Sequence, residues 1–137
     1  MYPGEFDYYE AETVEEAIDL LEDNAMEETE LLAGGHSLLP AMKTGLSTPD
    51  ILIDIGEVET LHGIAVDGDT LTVGAMSRYS DFLESDDAHE HAPALTAAVE
   101  RVGDRQVRNR GTIGGNLAHG DPASDLPGAA LASDATL

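Results

Sequence analysis

Residues 31–40 read Leu-Leu-Ala-Gly-Gly-His-Ser-Leu-Leu-Pro, and this stretch constrains the fold more than any other. Apolar residues from Glu30 to Ala33 predict a strand that stops at Gly34-Gly35, because paired glycines let the backbone turn through φ > 0 and admit a close neighbour. Leu38 to Lys43 then reads as one or two helical turns ending at Gly45, with Ser37 near the start. Strand, glycine turn and helix N-terminus in that order present unpaired backbone N–H groups and the positive end of a helix dipole to an anion such as phosphate. An ordinary tight turn fits the same residues. The segment is not a Walker A loop, since no Gly-Lys-Ser/Thr follows at the required spacing, and it is not the Gly-x-Gly-x-x-Gly fingerprint.

Around this segment the chain alternates elements. Phe6 to Tyr9 is β-prone, and Thr13-Val14-Glu15-Glu16 predicts a capping box with the Thr13 hydroxyl on the Glu16 amide. Val14, Ala17, Ile18 and Leu21 recur at helical spacing, giving a helix capped near Asn24. Ile51 to Ile55 predicts a strand, and Gly63–Val66 with Thr70–Val73 predict a hairpin turning at Asp67-Gly68-Asp69. Helical segments are expected at Tyr79–Leu83 and Pro93–Val102, a Gly-rich irregular stretch over 103–124, and a last amphipathic piece over Asp125–Ala132. The class is α+β, not an alternating doubly wound sheet. A helix followed by Asp134-Ala135-Thr136-Leu137 reads as a strand just begun, so the chain is expected to stop in mid-fold.

Charge excludes several function classes. The 137 residues carry 28 Asp plus Glu against 6 Lys plus Arg, a formal net charge of −22. Nucleic acid and anionic membrane are unsuitable partners, because binding them rests on cations neutralising phosphates. Hydrophobic residues at 42% still suffice for a core. Twelve acidic residues and no Lys or Arg fall in residues 1–30, while four of the five arginines lie between Arg101 and Arg110. The acidity itself reads as adaptation to concentrated salt, where repulsion is screened over a few Å and carboxylates hold water. With no cysteine there is no disulfide, thiolate metal site or Cys nucleophile. Neither a leader-like N-terminus nor a stretch of ~20 apolar residues occurs, so a cytoplasmic protein without a membrane span is expected.

A second glycine segment, Arg108-Asn109-Arg110-Gly111-Thr112-Ile113-Gly114-Gly115-Asn116, runs on to Gly120-Asp121-Pro122-Ala123-Ser124-Asp125. It is expected to be a loop rich in main-chain donors that can wrap a polar ligand, and two such loops suggest one extended ligand. Asp125 either caps the helix that follows or accepts hydrogen bonds from ligand hydroxyls. The arginines either offset the acidic field for a bound diphosphate or form surface ion pairs of small worth, the latter favoured for Arg101. His36 is better suited to supporting its turn than to acting as a base. His89 and His91, flanking Glu90 in an expected acidic loop, lack a third metal ligand. Asp67 and Asp69 belong to a turn without the EF-hand pattern, and Gly-x-Ser-x-Gly is missing.

Ala33-Gly34-Gly35-His36-Ser37-Leu38-Leu39-Pro40 and Gly111-Thr112-Ile113-Gly114-Gly115-Asn116, about seventy residues apart, together resemble the FAD-binding (medium) subunit of molybdenum hydroxylases. The resemblance runs from Tyr2 to Leu137 and is nearer to the aerobic carbon monoxide dehydrogenase type than to the xanthine dehydrogenase type. It implies a two-subdomain FAD-binding fold, a small N-terminal βαββ subdomain over 1–57 and the first part of a larger α/β subdomain over 58–137, with the C-terminal part missing. It implies FAD as cofactor, held by Leu32, Ala33, Gly34, Gly35, His36, Ser37 and Leu38 of the first segment. From the second segment it carries ligand roles onto Thr112, Gly114, Gly115, Asn116 and Asp125. No catalytic residue or metal ligand is implied. It also implies an oxidoreductase subunit in a heterotrimer, relaying electrons from a 2Fe-2S small subunit, itself fed by a molybdopterin large subunit, to an external acceptor. The alternatives are a non-catalytic fragment that keeps the fold for assembly, and part of another FAD-dependent oxidase of the same superfamily.

Overall fold

Ile51-Leu52-Ile53 is apolar on both faces of a strand, and a strand of that kind belongs in the middle of a parallel sheet. A computed structural model, describing residues 2–137, places it there. The chain divides into two compact units, one ending at Thr60 and one spanning Leu61–Leu137. In the first unit β1 (Asp7–Glu10), α1 (Val14–Asp23), β2 (Thr29–Leu32), α2 (Leu38–Lys43) and β3 (Ile51–Asp54) follow in order. The sheet has the order β1-β3-β2, and both pairings are parallel. Ile51, Leu52 and Ile53 are buried, whereas β1 and β2 carry Asp7, Glu10 and Glu30 exposed on the edges, where charge discourages further pairing. The register sets Leu32 opposite Asp54, so the first glycine segment leaves the sheet at the C-terminal end of β3.

Thr13 caps α1 as expected, its Oγ1 accepting from Glu16 N at 3.1 Å. The Glu16 carboxylate reaches back one residue further than a capping box requires, accepting from Glu12 N at 2.8 Å. At the far end of β3, Tyr8 Oη donates to Asp54 Oδ2 at 2.6 Å, and the other carboxylate oxygen accepts from Gly56 N at 2.7 Å. That bond to a carboxylate, aided by desolvation and the negative charge, pushes the Tyr8 phenol up to about 12.

The second unit begins with the antiparallel hairpin β4 (Ile64–Asp67) and β5 (Thr70–Val73). Six short helices follow: α3 (Tyr79–Glu84), α4 (Asp86–His91), α5 (Pro93–Val99), α6 (Arg105–Arg108), α7 (Ile113–His119) and α8 (Leu126–Ala132). Its core joins Tyr79, Phe82, Leu95, Val99, Ile113 and Leu126, with Ala88 and Ala92 between them. Three of these helices correct the expectations. The stretch 103–124 is not irregular, because Asp104 accepts from Val107 N and starts α6, and Thr112 accepts from Gly115 N and starts α7. Likewise His89, Glu90 and His91 lie on α4, not in a loop; Ser85 caps that helix, acidic residues sit in its first turn and histidines in its last, which suits the helix dipole.

Candidate functional site

The first segment lies wholly in the first unit. Gly35 has φ +77, and a Cβ there would stand 2.9 Å from Leu39 Cδ1, so the residue needs both the left-handed backbone and the missing side chain. Leu39 N donates to Gly35 O at 3.0 Å, which starts α2. Among the described residues, the backbone amides of Gly34, Gly35, His36, Ser37 and Leu38 meet no acceptor. Ser37 sits at the cap position with φ −102 and ψ −46 and makes no capping bond, leaving its hydroxyl unengaged as well. Leu32, Ala33, Gly34 and Gly35 are half-buried, while His36 and Ser37 are exposed. Five successive free N–H groups on a glycine turn make a concave donor surface for an anion.

The second segment lies in the second unit and is built differently. It is the N-terminal turn of α7, and its donors are already engaged: Ile113 N donates to Ser77 O and Gly114 N to Ala75 O, both at 2.9 Å. Gly115 N donates to Thr112 Oγ1 at 3.2 Å. The expected loop rich in free main-chain donors is therefore not found, because the helix needs those amides for its own start and for its anchor on residues 75–77. Gly114 is required by that anchor, since a Cβ would come 2.5 Å from Ala75 Cβ. Thr112 is buried and spends its oxygen on the cap. Asn116 donates from Nδ2 to Tyr79 Oη at 3.0 Å and accepts at Oδ1 from Ser124 Oγ at 2.9 Å. Burial pushes the Tyr79 phenol up, and the bond from Asn116 opposes that shift. Sequence reasoning gave no role to Tyr79, which lies outside both glycine segments, or to Ser124, which it passed over in favour of the adjoining Asp125.

Asp125 does not cap α8. Its backbone is helical (φ −81, ψ −18), its side chain makes no capping bond, and Ser124 Oγ accepts from Leu126 N at 3.4 Å instead. The exposed carboxylate is thereby left open to other donors. Arg108 follows neither expected course. Its Nη1 donates to the carbonyls of Val102 at 3.0 Å, Gly103 at 3.3 Å and Glu100 at 3.5 Å, closing the C-terminal end of α5. Elsewhere, a groove of about 540 Å³ in the first unit is lined by Glu10, Glu12, Glu15, Glu57 and Glu59 and would repel an anion. No group of three or more His, Cys, Asp and Glu able to hold a metal exists among the described residues. No helix among them is long and apolar enough to cross a membrane.

A family model described as the FAD binding domain in molybdopterin dehydrogenase matches residues 4–137. The chain belongs to this family. The glyceraldehyde dehydrogenase medium chain of Sulfolobus acidocaldarius is 41% identical over 137 residues, covering 100% of this chain and 48% of that one. The carbon monoxide dehydrogenase medium chain of Hydrogenophaga pseudoflava is 43% identical over 135 residues, 98% of this chain and 47% of its own length. The xanthine dehydrogenase FAD-binding subunit of Escherichia coli O157:H7 is 33% identical over 131 residues, 95% and 44% respectively. Among solved structures, carbon monoxide dehydrogenase from Hydrogenophaga pseudoflava matches with TM-score 0.89 and 45% identity over 93% of this chain and 44% of that one. The α+β fold is that of this family's FAD-binding subunits, and the chain spans about half the length of the relatives it matches.

FAD is the family's cofactor, and the residues present fit it. The open amides of the first segment suit a diphosphate, and the turn that frees them needs glycine at 35, where a Cβ would press on Leu39 and Leu32. In the second segment one Asn116 N–H and the Asp125 carboxylate are uncommitted, whereas the amides at the start of α7 are engaged.

Proposed function

We propose that this chain is the FAD-binding, electron-transferring portion of a molybdenum hydroxylase, working in the cytoplasm at high salt beside a 2Fe-2S small subunit and a molybdopterin large subunit. The observation that carries this reading is the run of five unengaged amides from Gly34 to Leu38 inside a chain of the FAD-binding family. When bound, FAD supplies the electron exchange between the iron-sulfur partner and an external acceptor.

The chain's residues bind and orient. Leu32 and Ala33 bring the backbone off the sheet, Gly34 and Gly35 turn it, and the amides through His36, Ser37 and Leu38 donate to the diphosphate, with the Ser37 hydroxyl as a further donor. Thr112, Gly114 and Gly115 build the start of α7 and so set the place of Asn116, which donates to the cofactor. Asp125 accepts from cofactor hydroxyls. We assign residues 1–57 and 58–137 to the two FAD-binding subdomains, close to the division at Thr60. None of these residues needs to act as an acid or base, and substrate choice belongs to the large subunit.

The test is a visible spectrum of the chain purified in molar salt. Visible flavin absorbance, lost in Gly35→Asp, is the expected result. A folded, colourless protein that gains no flavin on reconstitution would overturn the reading in favour of an assembly piece that keeps the fold without its cofactor. Co-purification with cysteine-rich and molybdenum-containing subunits separates a hydroxylase subunit from a free-standing oxidase.

A further inference from the structure

Asn116 is held from both sides by groups on other elements of its unit. Ser124, just before α8, donates its only hydroxyl proton to Asn116 Oδ1 at 2.9 Å while its oxygen faces Leu126 N at 3.4 Å. Tyr79, the first residue of α3, receives one Nδ2 proton at 3.0 Å. A carboxamide has two unlike ends, and here the carbonyl end faces the Ser124 hydroxyl while the amino end faces Tyr79 Oη. One N–H of Nδ2 is left over, and its direction follows once the other is fixed. Tyr79 is itself a firm support. Its ring is buried at 5% exposure, its N donates to Gly111 O at 3.0 Å, and a Cβ on Gly111 would collide with the ring. The glycine at 111 thus serves the tyrosine, and the tyrosine serves the asparagine.

We propose that Tyr79 and Ser124 are positioning residues for FAD, acting through Asn116 by fixing its carboxamide so that the free N–H points at the cofactor. This rests on the reading of Asn116 as a FAD ligand. A group held in advance loses less freedom on binding, so its hydrogen bond counts more fully toward affinity. A purely structural role for the two hydroxyls, tying α3 and α8 to α7, would act on stability without depending on what Asn116 donates.

The experiment is a flavin-fluorescence titration of the purified chain in molar salt, alongside thermal melting without FAD. Tyr79→Phe keeps the ring under Gly111, and Ser124→Ala keeps the backbone; each is expected to raise the Kd for FAD about tenfold, the loss of roughly one hydrogen bond. Ser124→Thr restores affinity. In an Asn116→Ala background neither change has a further effect on Kd. Asn116→Asp provides a second background, since it keeps the shape and the bond from Ser124 but has no N–H to aim. Equal effects of Tyr79→Phe in the wild-type and Asn116 backgrounds, or none in either, overturn the positioning role while leaving Asn116 a ligand. An Asn116→Ala protein that binds FAD like wild type overturns the ligand reading and the positioning role with it. A folded wild-type chain that takes up no FAD overturns the proposed function itself.

Discussion

The two glycine segments look alike in sequence and do opposite things with their backbone. Gly34-Gly35 opens a turn whose next amides are left without acceptors, whereas Gly114-Gly115 opens a helix whose amides are all engaged at once. The first is a half-buried turn at the end of a strand whose donors are open; the second is a packing joint, pressed against Ala75. A glycine pair alone therefore does not say whether the backbone is being offered to a ligand or to the protein.

This contrast can be broken by substitution. Gly114→Ala forces a methyl group against Ala75 and is expected to cost about 2–3 kcal/mol, read as a large fall in the melting temperature of the second unit. Gly35→Ala should be milder for stability, about 1–2 kcal/mol for a side chain in the left-handed region that meets only the movable tips of Leu39 and Leu32, while weakening FAD binding tenfold or more in titration. If Gly35→Ala melts the protein as severely as Gly114→Ala, the first segment is a packing joint too. The hydroxyls sharpen the point. Thr112→Ala removes a cap and should cost about 1 kcal/mol, whereas Ser37→Ala, which has no cap bond to lose, should leave melting within about 0.5 kcal/mol and lower FAD affinity a few-fold.

The smallest effect concerns Tyr8 and Asp54, at the end of β3 opposite Leu32. Because the folded phenol is raised to about 12, the bond contributes stability below about pH 10 and loses it as pH rises through about 12. In Asp54→Asn the ultraviolet titration of Tyr8 should move down toward 10, with only a slight change in melting. An unmoved titration would mean that the strand end beside the first segment is held some other way.

Much of the first unit was legible in its residues, because each signal there is local. A run such as Ile51-Leu52-Ile53 has to be central in a parallel sheet, and Thr13 three residues before Glu16 has to cap. The second unit was less legible where glycine competed with capping. Residues 103–124 contain enough glycine to read as irregular, yet Asp104 and Thr112 each close a helical turn, which outweighs a propensity cost of about 1 kcal/mol per glycine. Asp125 looked like a cap, but its neighbour Ser124 faces that amide, a choice made by backbone angles that residue type does not reveal. The partners of Arg108 are carbonyls at the end of another helix and leave no trace in spacing. The candidate ligands were found through a two-segment resemblance, while Tyr79, 37 positions from Asn116, could be found only by folding the chain.

Arg108 has one more consequence. An arginine paired with a carboxylate is weakened when dissolved ions crowd between the two charges, and over a chain of charge −22 such ions gather densely. Arg108 grips three peptide oxygens instead, the nearest at 3.0 Å, so its hold does not rely on an opposing charge that the medium can neutralise. The joint between α5 and α6 is a latch suited to brine, and it should stay shut across a range of salinity that would loosen an ordinary ion pair.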